Sequence, residues 1–209
     1  MRAITKGKEP ACLTKHRAAE NSFYHNYPGR DALRTALVTE QRGLCCYCMS
    51  RLVADRSKMK IEHWKSQSDP ATQHLQLTFS NLLGACKGGE GGSSKQHHCD
   101  TLKGNRSLKW NPATPAHAIE ARIRYDNNGE IHSDDDQFDA ELNAVLGLNV
   151  AILRNRRKGV LDGALSWWQL KQPNQAQVRA KINKYDPPVG ELEPYRHVAV
   201  WFLKRKLPA

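Results

Sequence analysis

The stretch "GLCCYCMSRL", residues 43–52, constrains this chain more than any other short segment. It sets Cys45 and Cys48 in a C-x-x-C spacing, and Cys86 and Cys99 follow far downstream. Two thiolates at that spacing reach one tetrahedral ion, and two more close its coordination shell. The second pair is separated by the glycine-rich loop "CKGGEGGSSKQHHC", in which His97 or His98 could replace one thiolate. A metal clip joining such distant residues supplies much of the stability of a small, loop-rich core. Cys12 and Cys46 are left as ordinary thiols.

Two other uses of the cysteines fit less well. The start "MRAITKGKEPACL" lacks a signal-like apolar core, and no run approaches the ~20 apolar residues of a membrane span. The expected location is therefore cytoplasmic, where thiols stay reduced and a disulfide framework is disfavoured. A redox C-x-x-C is expected at a helix start just after a strand, whereas here a helical pattern precedes it.

The 209 residues suffice for one domain, or for a small domain with an appendage, and the net charge of +11 attracts polyanions such as nucleic acid. Residues 1–29 read as irregular, with "EP" and "NYPG" as turn signals. In "DALRTALVTEQRG", Leu33, Leu37 and Val38 share a helical face, with Asp31 as N-cap and Gly43 as stop. "MKIEHW" alternates like a strand, and "CDTLKGN" starts a helix with Asp100 near its positive end. "NPATP", residues 111–115, reads as a linker, and "ARIRYDNNGEIHS" as a hairpin turning at Asn128-Gly129. From about residue 137 the pattern is helical, and "SDDDQFD" is a solvated helix start. Trp167, Trp168 and Trp201 suit either a helical core or interface anchors.

Between and beside the cysteines lie Glu62-His63, Asn81 and Asp100. Neighbours on a strand point to opposite faces, so one of Glu62 and His63 can hold a metal while the other polarises a water.

Taken together, "CCYCM", "KIEHWKSQS", "SNLLGAC" and "HCDTLKGN" resemble the zinc-clipped HNH (ββα-metal) endonuclease signature. The likeness is nearest to the HNH nuclease subunit of Septu-type anti-phage defence systems and to retron-associated HNH nucleases. It runs from the first residues to "LNVAILRNRR" and fades after about residue 160. The resemblance implies an α+β fold: a zinc-clipped nuclease core over residues 30–112, followed by a hairpin and a mainly helical region over 113–209. It also implies a site. His63 would be the general base, Asn81 would brace the loop holding it, and Glu62 and Asp100 would bind a catalytic Mg²⁺ or Mn²⁺. Cys45, Cys48, Cys86 and Cys99 would bind structural Zn²⁺. Lys65, Lys87, Lys103 and Arg106 would meet nucleic acid. Glu62 stands where the family usually has Asp, and Asp100 where it has Asn or His.

The implied activity is metal-dependent DNA hydrolysis in antiviral defence, in complex with an SMC/ABC-like ATPase. A non-catalytic zinc module that binds nucleic acid would need the cysteines and the charge, but not Glu62, His63 and Asp100. A solitary restriction or homing nuclease shares the site and dispenses with the partner.

Overall fold

The computed structural model describes residues 1–208 and has an α+β fold. The first element stands where the sequence suggested irregular chain. Pro10, extended at φ −60°, enters a helix over Ala11–Arg17 (α1) whose last turn carries Lys15, His16 and Arg17. Lys15 and Arg17 complement the helix C-terminus, and Leu13 is fully buried. A seven-residue helix shows too little periodicity to be read from sequence.

The second helix forms over Arg30–Glu40 (α2), burying Leu33 and Leu37. Gly29, rather than Asp31, is its N-cap, and Asp31 lies in the first turn, where its charge favours the dipole. Gly43 ends it at φ +76°, its amide donating to the Val38 carbonyl at 2.9 Å. Strand β1, Met59–His63, pairs antiparallel with β2, Leu82–Cys86, from Met59 opposite Cys86 to His63 opposite Leu82. A short helix over Cys99–Lys103 (α3) follows, with Asp100 in its first turn.

The "NPATP" segment is a packed turn, not a linker. Asn111 is buried, and the Pro112 carbonyl accepts from the Ile4 amide at 2.8 Å. Its Pro-rich composition reports the turn, while its burial depends on residues a hundred positions away. The expected hairpin forms from Arg124–Tyr125 (β3) and Ile131–His132 (β4). Asp135 caps Asp136–Ala140 (α4), accepting from the Phe138 amide, so the acidic cluster is a helix start. The chain continues through a π turn into Ala151–Lys171 (α5), Gln175–Tyr185 (α6) and Arg196–Lys204 (α7). No helix of the described residues is long and apolar enough to cross a membrane.

Two apolar clusters flank the β1–β2 pair. The smaller joins Leu13, Tyr27, Leu33, Leu37, Phe79 and Leu82. The larger joins Tyr47, Leu83, Cys99, Leu146, Leu161 and Val198, so it runs without a break across residue 112. Leu82 and Leu83 fall in different clusters because successive strand residues face opposite ways.

Arg157 on α5 is the largest fully buried side chain and has no carboxylate partner among the described residues. Its guanidinium donates to the Gly129 carbonyl (2.6 Å), the Leu148 carbonyl (2.7 Å) and Asn149 Oδ1 (2.9 Å). It thereby ties the β3–β4 turn to the start of α5. Arg157→Leu strands those acceptors and should cost about 3 kcal/mol in chemical denaturation, against about 0.5 kcal/mol or less for exposed Arg156→Ala. Equal losses would refute the tie.

Candidate metal centre and adjoining cleft

The C-x-x-C segment is a tight knuckle. Leu44 and Arg51 form a bridge, the Cys45 amide donates to the Ser50 carbonyl at 2.9 Å, and Met49 turns the chain at φ +63°. The Cys46 amide donates to the Gly84 carbonyl at 3.0 Å, fastening the knuckle to β2. Cys86 ends β2, and its amide donates to Cys45 Sγ at 3.3 Å. Cys99 opens α3 at φ +52°, an uncommon conformation for a non-glycine residue, held by its amide bond to the Leu146 carbonyl (2.8 Å).

The four sulfurs converge within 4.8 Å of one another, with Cys45 Sγ–Cys99 Sγ at 3.9 Å and Cys48 Sγ–Cys86 Sγ at 3.7 Å. A tetrahedron with metal–sulfur bonds of about 2.3 Å has edges of about 3.8 Å. None of the cysteines is in a disulfide, so the cluster fits a metal ion such as zinc. The loop between Cys86 and Cys99 closes through Gly88, at φ +54°. A Cβ there would sit 1.8 Å from the His98 carbonyl oxygen, so only glycine lets the strands of the loop meet. Neither His97 nor His98 joins the sulfurs, and His98 Nδ1 instead meets the Gln96 carbonyl. Cys46 is buried outside the cluster, and Cys12 is exposed beside Tyr27.

Next to the cluster opens a cleft of about 430 Å³, lined by Glu62, His63, Lys87 and Asp100 among others. Glu62 is buried, with side-chain exposure of 2%, and its Oε1 accepts from Tyr47 OH at 2.9 Å and pairs with Lys103 Nζ at 2.7 Å. Burial pushes the Glu62 carboxyl well above its usual range, neighbouring Asp100 adds to this, and Lys103 opposes it. Asp100 is paired in turn with Lys60 at 3.3 Å. Two adjacent carboxylates thus meet two ammonium groups, leaving hard oxygen donors at the cleft wall.

His63 faces away from Glu62, as strand alternation requires. Its ring meets Tyr24 edge-on with centroids 4.5 Å apart. Its Nε2–H donates to the Gln76 carbonyl at 3.0 Å, which leaves Nδ1 as the lone-pair nitrogen. Burial lowers the His63 pKa from 6.5, so the neutral ring prevails at neutral pH. Asn81 ties down the chain after β1: its Oδ1 accepts from the Lys65 amide (2.7 Å) and its Nδ2 donates to the Lys65 carbonyl (3.0 Å).

The four cations read from sequence have different fates. Lys65 is exposed, and Lys87 lines the cleft while pairing with Glu90 at 2.9 Å. Lys103 is 1% exposed and serves Glu62, so it does not present its charge to an incoming polyanion. Arg106 donates to the Leu102, Ala144 and Val145 carbonyls, which commits its guanidinium to backbone. Sequence reading missed Arg34, Arg56 and Lys60, which border the cleft, and Tyr47, which holds Glu62. Lys60 was the most findable, since it lies two residues before Glu62 and shares its strand face. A second group of potential ligands, Asp126, Glu130 and His132, is partly exposed at the β3–β4 hairpin.

No family model matches this chain, and no curated protein matches it either.

The buried Glu62–Lys103 pair yields a direct test. Lys103→Met leaves a carboxylate uncompensated in the interior and should cost about 3–5 kcal/mol. Glu62→Gln combined with Lys103→Met should recover most of that loss in a double-mutant cycle. Additive losses would mean that the two groups do not interact.

Proposed function

We propose that this chain is an HNH-type (ββα-metal) endonuclease in which the four cysteines hold a structural Zn²⁺ and the adjoining cleft hydrolyses phosphodiester bonds. The supporting observation is the disposition of His63. Its Nε2 is spent on a backbone carbonyl, which leaves Nδ1 as the basic nitrogen, and His63 lines a cleft that also holds Asp100 and Glu62. The resemblance of "KIEHWKSQS" and "HCDTLKGN" to the HNH signature supplies the reaction class.

In this reading His63 Nδ1 takes the proton of the attacking water, and the Gln76 carbonyl fixes the tautomer that makes this possible. Asn81 holds the turn that follows His63. Glu62 and Asp100 offer the hard oxygen donors that suit Mg²⁺ or Mn²⁺, with Lys103 and Lys60 keeping the carboxylates in place beforehand. When bound, that cation neutralises charge on the scissile phosphate and the leaving 3′ oxygen. Arg56 borders the cleft with no carboxylate partner among the described residues, and the chain's net charge of +11 favours approach of DNA.

Purified protein should contain about one zinc per chain, and Cys48→Ser should be insoluble or unfolded. His63→Ala should lower DNA cleavage by about 10²–10⁴-fold while zinc content and the folded state are retained. Because the base acts when neutral and its pKa lies below 6.5, cleavage should stay on its plateau as pH falls past 6.5 and drop only in more acidic buffer. A His63→Ala protein that cleaves at the wild-type rate would sink the mechanism.

We further propose a cytoplasmic antiviral role in complex with an SMC/ABC-like ATPase, on the resemblance alone. Co-expression with an SMC/ABC-like ATPase of such a defence system should give one peak in size exclusion, and separate elution of the two would favour a solitary nuclease.

A further inference from the structure

Away from the cleft, charge is spread unevenly. Between residues 151 and 185 the chain holds eight Lys and Arg residues and a single acidic one, Asp162. Three of the eight have internal roles: Arg157 is buried, Arg154 pairs with Glu130 at 2.6 Å, and Lys158 pairs with Asp162 at 2.7 Å. The other five, Arg156, Lys171, Arg179, Lys181 and Lys184, have no carboxylate partner among the described residues. An open groove of about 380 Å³ lies between α5 and α6, floored by Trp167, Pro173 and Ala180 and bordered by Lys171, Lys181 and Lys184. No acidic side chain lines it, and it shares no residue with the Glu62–His63 cleft.

One of these five cations, and two more at the end of α7, are held over aromatic rings. Lys181 Nζ stands 5.1 Å from the Trp167 ring centre and 5.0 Å from that of Tyr185. At the end of α7, Arg205 lies 5.1 Å over Trp201, and Lys206 lies 5.1 Å over Phe202 and 5.5 Å over Trp168. Aromatic faces attract such cations and restrict their rotamers, so less entropy is lost when an anion binds them. Of the tryptophans, Trp201 also packs against the larger apolar cluster. Trp167, Trp168 and Trp201 are half-buried, and their accessible faces seat lysine and arginine.

We propose that the α5–α6 groove and the adjoining end of α7 form a second binding surface, for the phosphate backbone of nucleic acid, distinct from the cleft. Unpaired cations around a groove that no acidic side chain lines suit a uniformly anionic polymer. A protein interface brings an apolar centre and mixed charges instead. A second grip on the same polymer raises the effective concentration of DNA at the cleft without any new contact there.

The test uses full-length His63→Ala protein in Mg²⁺-free buffer, with anisotropy of a fluorescein-labelled duplex read across a salt series. K171Q/K184Q removes two exposed charges that have no aromatic or carboxylate partner among the described residues. It should weaken binding by about tenfold near physiological salt and reduce the slope of log affinity against log salt by about two, while K171R/K184R keeps both. Unchanged affinity and slope in K171Q/K184Q, at wild-type zinc content and melting temperature, would overturn the proposal. So would intact DNA binding combined with loss of co-elution with the ATPase, which would mark the face as a protein contact. Cleavage is not read, so this result and the catalytic reading of His63 stand or fall separately.

Discussion

Four cysteine sulfurs meet where the knuckle, the end of β2 and the start of α3 converge, and the rest of the molecule is arranged around that meeting. The knuckle turns through a left-handed Met49, α3 begins at a left-handed Cys99, and the loop from β2 to α3 passes a point where only a glycine fits. Such conformations persist where surrounding structure over-determines them. Here the surroundings include backbone from well outside the cysteine segment: Leu146 accepts from the Cys99 amide, and the Tyr195 amide donates to the Met49 carbonyl. The C-terminal helices thus help to hold the shape of the centre.

The cleft inherits its geometry from the same construction. Glu62 lies on the strand paired with the one that Cys86 ends, and Asp100 follows Cys99 directly. Closing the sulfur cluster therefore sets the spacing of the two carboxylates. Their mutual repulsion is offset by Lys103 and Lys60, each from the opposite element: Lys103 on α3 serves the strand, and Lys60 on the strand serves α3. This crossed pairing keeps the acidic donors together. His63 stays out of the network because strand alternation turns it toward Tyr24 and the smaller apolar cluster.

Much of this was legible in the sequence, for identifiable reasons. The ligand set was readable because C-x-x-C reports a local turn and few other sulfurs were available. The opposed faces of Glu62 and His63 follow from strand geometry, and the Asn128-Gly129 turn from glycine's access to positive φ, which it takes at +77°. Short elements and long-range burial were not readable. The α1 helix has too few residues to show a period, and the "NPATP" turn looks like a linker until Ile4 is seen to pair with Pro112.

By itself, the sequence determined which residue types could make a thiolate centre, that an acidic residue and a histidine sit back to back on one strand, and that the chain is strongly basic. Only the tertiary structure decided how each charge is used. Lys103, a surface cation by composition, is buried against Glu62, Arg106 is spent on carbonyls, and Lys171 and Lys184 are left to solvent beside an aromatic floor. Composition counts charges, but the energy of a charge depends on its solvent and its neighbours, and those are set only when distant segments pack together.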